Sequence, residues 1–399
     1  MKPVSLYFHI PFCAKRCHYC HFVSTDGRLC DMDDYFLALT REVEQIYLSF
    51  GEKLSVHTVY FGGGTPSLVP IPLYEKLFST IHSFFNLTAD TEISLEANPG
   101  SVDLAYLKGL HQIGFNRISI GAQSIHPQEL TLLGRVHSEK QVYSAVENSR
   151  SAGFDNLSLD LMFALPGQNL EDWMKTLERV AGLQADHLSL YELMIEEGTH
   201  LEKMIREGAL KPVEQDLAAD MYENTIDYLS TAGFEQYEIS NWAASRKDRL
   251  MVCRHNIQYW LNQPYIGLGV AACGYIEGYR TENTADLDGY MFSFQNATPM
   301  KFPQTAGTYR MSPVPLWDEI QDTMMLGLRM TKDGISETRF REHFNREMMD
   351  VFEKEIVDLI KKDLLEWNGE GSNRSIRLTR HARAIGNQVF LQFIDLAER

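Results

Sequence analysis

Apolar positions along the chain fall into two alternating kinds of run. Short runs of strand length recur: "VSLYFHI" from Val4, "VHTVYF" from Val56, "EISLEA" from Glu92, "RISIGA" from Arg117, "NLSLDL" from Asn156 and "HLSLYE" from His187. They are rich in branched and aromatic residues, as strands are. Between most of them lie segments of helical period, such as "DYFLALTREVEQIYLSF", "LYEKLFSTIHSFF" and "LEDWMKTLERVAGL". Strand and helix alternating six times predict βα units and a mostly parallel sheet. Polar, glycine and proline residues gather where the strands end, in HIPFC, GGGTP, EANP, GAQS, DLMFALPGQ and YELM. In (β/α) barrels the active site is built from those ends. Six units are fewer than the eight of a closed barrel, so the expectation is an α/β fold, a partial open (β/α)6 TIM-like barrel. A doubly wound flat sheet has the same alternation and is the alternative.

After about residue 210 the texture changes. "VEQDLAADMYENTIDYLSTAGF" reads as a helix ending at Gly233, and a glycine- and aromatic-rich stretch follows. From Pro313 the pattern is helical, with a strand-like "SIRLT" near the end. The expected organisation is a barrel over residues 1–235, a connecting segment over 236–312 and a smaller, mainly helical C-terminal domain over 313–399.

Composition narrows the partners. A net charge of -17 makes the chain a poor candidate for binding a phosphate backbone, so no nucleic acid is expected. No apolar run approaches the roughly 18 residues that span a bilayer. The first residues lack a long apolar region with a small-residue cleavage site, and the expected location is cytoplasmic. Six cysteines in so long a chain do not suggest a disulfide framework. Cys30, Cys253 and Cys273 are scattered, whereas Cys13, Cys17 and Cys20 cluster in "HIPFCAKRCHYCHF".

Three readings compete for that cluster. A structural zinc site normally has four ligands, which His18 or His21 would have to complete, and no second CxxC exists. A redox dithiol needs only CxxC and leaves Cys13 unexplained. A [4Fe–4S] cube held by three thiolates leaves one iron open for a substrate or cofactor.

CxxxCxxC directly after the first strand of a βα array resembles the radical S-adenosylmethionine (SAM) superfamily. That resemblance implies that Cys13, Cys17 and Cys20 hold a [4Fe–4S] cluster and that SAM chelates the open iron. One electron from the cluster then splits the sulfonium to a 5′-deoxyadenosyl radical. The electron would come from a donor protein such as flavodoxin or ferredoxin. "GGGTP" at Gly62–Pro66 resembles the superfamily's glycine-rich strand, where side chains are absent so that a ligand can come close.

"YFHIPFC", "FGGGTPS", "EANP", "GAQS", "LGRVH" and "LDLMFALPGQ" stand in the order of the oxygen-independent coproporphyrinogen III oxidase family, and the resemblance covers nearly the whole chain. It implies that Tyr7 packs near SAM, that Gly63, Gly64 and Thr65 line its methionine end, and that Glu96 accepts a hydrogen bond from it. Gln123, Arg135 and Asp160 match residues that hold a second SAM molecule in the decarboxylase, with Met194 contributing backbone beside them. The alternative for those three is a structural polar network over the barrel mouth.

Two subgroups are separable. The decarboxylases carry a fourth cysteine, CxxxCxxCxC, where this chain has Phe22, which then belongs to the cofactor site by position alone. "CRHNIQYW" is similar to the HNxxYW signature of the HemW group, which binds heme as a chaperone. By that resemblance His255 is the candidate heme contact; alternatively His255 and Asn256 only cap a helix before Tyr259 and Trp260. The group shows a histidine in the following glycine-rich segment, where "GLGVAACGY" offers Cys273. The expectation is a radical SAM protein that binds heme or a porphyrin and passes heme to an acceptor the sequence does not name. The alternative is decarboxylation of coproporphyrinogen III to protoporphyrinogen IX.

Overall fold

A computed structural model describes residues 3–298, 300–394 and 396. The chain divides into two compact units, one of Met1–Met221 with Pro264–Pro313, the other of Tyr222–Gln263 with Val314–Arg399. Residues 236–312, expected as a connecting segment, fall on both sides of that division.

The first unit carries strands β1 (Val4–Ile10), β2 (Leu54–Gly63), β3 (Phe85–Ala97), β4 (Arg117–Gln123), β5 (Asn156–Phe163) and β6 (His187–Glu192). All six pair in parallel in the spatial order β6-β5-β4-β3-β2-β1. Neighbours in sequence are therefore neighbours in space, and the chain winds one way through all six. A doubly wound sheet would reverse direction partway through. Near-continuous burial along β1, β4 and β5 is what a parallel sheet covered on both faces requires.

Four strands beyond the expected six extend the sheet past β1. β7 (Tyr265–Leu268) lies parallel to β1, and β8 (Cys273–Ile276), β9 (Tyr279–Asn283) and β10 (Thr308–Pro313) follow as antiparallel neighbours. Among the described residues no pairing closes the path into a ring.

Helices Met32–Phe50, Ile71–Phe84, Leu104–Ile113, Glu139–Ala152 and Leu170–Ala181 connect the strands. The helix at Glu139 starts in a capping box, with Ser138 and Gln141 satisfying each other's end of the turn. Helix Ile71–Phe84 stops one residue short of the apolar run that suggested it, because Phe85 already has extended geometry and opens β3. The core between helices and sheet includes Leu39, Leu77, Leu107, Trp173, Phe8, Phe61 and Leu159, each with no exposed surface. Each such side chain contributes roughly 1.5–3 kcal/mol of burial.

The second unit packs helices Leu316–Gly327, Glu337–Phe344 and Met348–Lys361 with a hairpin of Leu365–Asn368 and Ser375–Leu378. Its core gathers Trp317, Met324, Phe340, Phe352, Leu359, Ile376 and Phe393. No helix among the described residues is long and apolar enough to cross a membrane.

Candidate functional site

The cysteines sit on the loop that leaves β1, and that loop is fixed from two sides. Gly64 N–H donates to Ile10 O at 2.7 Å and Thr65 N–H to Phe12 O at 2.8 Å, so the end of β2 is tied to the start of the loop. A Cβ at Gly64 would lie 2.8 Å from Phe12 O, and at Gly63, with φ +112°, 2.6 Å from the His9 ring. The bare backbone there has a packing reason besides the one the sequence suggested: the cysteine loop itself occupies the space. On the other side, His18 N–H donates to Leu133 O at 3.0 Å, and the His18 ring Nδ1 lies 2.9 Å from Leu132 O.

Cys13 is buried, Cys17 and Cys20 are half-buried, and all three thiols are free. A chain of polar contacts joins two of them. Arg135 Nη1 points at Cys17 Sγ (3.5 Å), and its Nη2 donates to Asn98 Oδ1 (2.5 Å). Asn98 Nδ2 donates to Thr65 Oγ1 (3.2 Å), whose hydroxyl points at Cys13 Sγ (3.7 Å). Burial pushes the Cys13 thiol up, partly offset by Thr65 and Ser24. Among the described residues no group of three or more His, Cys, Asp or Glu converges on a single metal ion.

Beside the loop the strand ends carry half-buried acids. Glu96 accepts from Tyr60 Oη at 2.9 Å and from Gly63 N–H at 3.2 Å. Burial, with the Asp160 charge adding to it, pushes the Glu96 carboxyl up to about 7 against those two donors. Asp160 accepts from Ser119 Oγ at 2.9 Å on both oxygens, and burial still raises it. Arg117, 1% exposed at the start of β4, is the interior cation whose charge opposes both rises. His187 bonds Ser158 Oγ at 2.8 Å and is held far below its ordinary value by burial and Arg117, so it is neutral.

Of the residues singled out from the sequence, the structure brings Cys13, Cys17, Thr65 and Arg135 into one chain of contacts. It places Glu96 against Gly63 and Asp160 across Ser119. Tyr7 Oη lies 3.1 Å from His9 Nδ1, and its phenol is raised by burial and by the Glu96 and Cys273 charges. Cys273 is exposed on β8, with its backbone packed over Gly267, the register partner of Tyr7. Phe22 and Met194 are each 65% exposed. His255 belongs to the second unit, on helix Arg254–Trp260, where it is buried with Nε2 2.9 Å from Tyr259 Oη.

Sequence reasoning passed over Asn98, Arg117, Tyr60 and Ser119. Asn98 stood in view inside "EANP", and Arg117 as a charge opening an otherwise apolar strand.

A cysteine-bearing loop after the first strand of a parallel βα sheet, with acids and a guanidinium at the neighbouring strand ends, defines the class of radical SAM proteins. The chain matches the radical SAM superfamily over residues 7–180 and the HemN C-terminal domain over residues 314–385. It shares the fold of Escherichia coli coproporphyrinogen III oxidase HemN, a radical SAM enzyme, with a TM-score of 0.82 at 23% identity, covering 98% of this chain and 90% of that one. It is 35% identical to the heme chaperone HemW of Bacillus subtilis over 98% of this chain and 99% of the relative. It is 34% identical to the Lactococcus lactis heme chaperone HemW over 98% of both. Similarity reaches the mitochondrial radical S-adenosyl methionine domain-containing protein 1 of Danio rerio, 34% identical over 83% of this chain and 74% of that one. The chain belongs to the HemW family of radical SAM proteins.

Proposed function

We propose that this protein is a heme chaperone: it binds heme and passes it to an acceptor, and it carries a [4Fe–4S] cluster and SAM at the strand ends of its first unit. The observation that carries the reading is 35% identity, over nearly the full length of both chains, to a protein named heme chaperone HemW.

Cys13, Cys17 and Cys20 would ligate three irons of the cluster. The donor set fits: three free thiols lie on one loop, and Thr65 Oγ1 and Arg135 Nη1 are aimed at two of them. Hydrogen bonds and a cation beside sulfur offset thiolate charge and tune such clusters. Of His18 and His21, the alternative fourth ligands of a zinc site, His18 has its Nδ1 2.9 Å from Leu132 O. When bound, the cluster supplies one electron to the SAM sulfonium, delivered by a flavodoxin- or ferredoxin-type donor.

Tyr7, Gly63, Gly64, Thr65 and Glu96 would face the methionine end of SAM. Gln123, Arg135, Asp160 and Met194 would contact SAM further along the strand ends, with Phe22 at the lip. Glu96, in its ionised form, offers an acceptor to the SAM ammonium. His255 would enter the heme site through its imidazole, whose Nε2 lies 2.9 Å from Tyr259 Oη.

The test is anaerobic reconstitution followed by heme titration. A Soret shift saturating at stoichiometric heme is expected, and its absence contradicts the chaperone reading. A His255→Ala variant that keeps the full shift removes His255 from the heme site.

A further inference from the structure

Gln123 has φ +61°, and on either side of it Ser124 N–H donates to Ala122 O at 2.7 Å. A bond from residue i to i+2 around a positive φ is a γ-turn of the rare, strained kind. It falls where β4 slips against β5: Gly121 pairs with Asp160 and Gln123 with Leu161, leaving Ala122 as the extra residue of a bulge. In an unbroken strand residues 121 and 123 would stand about 6–7 Å apart along one face. Here a Cβ on Gly121 would lie 3.0 Å from Gln123 Nε2 and 3.5 Å from Arg135 Nη2. Arg135 Nη2 also donates to Gly121 O at 2.7 Å. The carboxamide and the guanidinium thus meet over one glycine.

Such strain persists only where the surroundings over-determine it, and here they do. Ala122 O also bonds His137 Nε2 at 2.9 Å. Ser124 Oγ accepts from His126 N–H at 3.0 Å and donates to a Glu129 oxygen in a short hydrogen bond. The other Glu129 oxygen accepts from Gln168 Nε2 at 3.0 Å, and Gln168 Oε1 accepts from Leu165 N–H at 3.3 Å. Ser124, His137 and Gln168 are buried.

We propose that Glu129, acting through Ser124, is a positioning residue that holds the γ-turn at Gln123 and so keeps the Gln123 carboxamide beside Arg135, facing SAM. The inference rests on the reading above that Gln123 and Arg135 contact SAM.

The experiment measures SAM affinity by equilibrium dialysis on the full-length, anaerobically reconstituted protein, with iron per chain as control. The variants are Gly121→Ala, Glu129→Ala, Glu129→Gln, Gln123→Ala and the double variant Gln123→Ala/Glu129→Ala. The methyl of Gly121→Ala meets only the mobile end of the Gln123 side chain and the Arg135 tip within 3.5 Å, so the fold tolerates it while the carboxamide must move. Gly121→Ala, Glu129→Ala and Gln123→Ala are each expected to weaken SAM binding about tenfold with iron unchanged. The double variant binds no more weakly than Gln123→Ala alone, because both changes remove one interaction. Glu129→Gln, which keeps an acceptor for Ser124, restores most of the affinity. If Gln123→Ala weakens binding while Glu129→Ala does not, the positioning role is overturned and the SAM reading stands. If Gln123→Ala binds SAM like the wild type with full iron, both fall. Should Glu129→Ala fail to fold, Ser124→Ala, which removes the hydroxyl joining Glu129 to the turn, decides: weaker SAM binding with iron unchanged supports the role, and wild-type affinity overturns it.

Discussion

At the strand ends of the first unit, polar groups are held at a cost. Glu96 is pushed to about 7, Asp160 is raised, and Gln123 sits in a γ-turn with positive φ. On the HNxxYW helix of the second unit, local contacts engage polar groups, while among the described residues Trp260 Nε1, itself shielded from solvent, has no hydrogen-bond partner. His255 bonds Tyr259 one turn along, Arg329 stacks over the Trp260 ring at 4.3 Å, and Asn262 Nδ2 donates to Thr323 Oγ1 at 3.1 Å. Cation–π stacking and local hydrogen bonds account for His255, the Trp260 ring and Asn262 without a ligand, but not for the Trp260 N–H. Perturbed carboxyls and strained backbone gathered at one place call for a functional account. The raised carboxyls and the strained turn therefore gather at the strand ends, whereas on the HNxxYW helix local contacts surround an unsatisfied indole N–H.

The largest effect separating the two regions is on stability. Phe352 is fully buried among Trp317, Phe340 and Phe393. Phe352→Ala is expected to cost about 3–5 kcal/mol in denaturant unfolding, while iron per folded chain stays unchanged. Iron lost in proportion to stability would mean that the regions are not separable in this way.

A smaller effect depends on pH. Glu96 is raised from 4.5 to about 7 in the fold, so its protonated form is the one the fold favours. That contribution is fully present below about pH 4.5 and is lost as pH rises through 7. Asp160, Glu42 and Glu238 are raised as well, so the difference between wild type and Glu96→Gln isolates the effect. Unfolding free energies at pH 5 and pH 8 should show the wild type losing on the order of 2 kcal/mol more than Glu96→Gln. Parallel pH profiles would place Glu96 in ordinary solvent.

The smallest effect concerns His255. Its replacement by alanine leaves Tyr259 Oη without that partner, at about 1–2 kcal/mol. A thermal melt within error of the wild type would show that the helix does not depend on that bond.

Much of the site was legible because its chemistry is local. Cysteine spacing, a strand before it and polar tips after each later strand are patterns of neighbouring residues, and they led to Cys13, Cys17 and Cys20 and to the strand ends. What escaped depends on pairing across the chain. Asn98 gains meaning only because Arg135 and Thr65 reach it from distant loops. Arg117 reads as a strand's first polar residue until the fold buries it beside two acids. Residues 264–313 gave no sign of returning to β1, since the parallel pairing of β7 with β1 joins Ser5 to Tyr265. Gly63 and Gly64, at the end of β2, were read as leaving room for a ligand; in the fold their nearest neighbours are the His9 ring and the backbone of residues 10–12.

The most direct measurement is iron, sulfide and SAM binding on the anaerobically reconstituted wild type and its Cys17→Ala variant. About four iron and four sulfide per chain are expected in the wild type, with loss of both the cluster and SAM binding in the variant. A wild type that takes up a single zinc instead, or a Cys17→Ala protein that keeps its iron and binds SAM unchanged, would contradict the cluster reading.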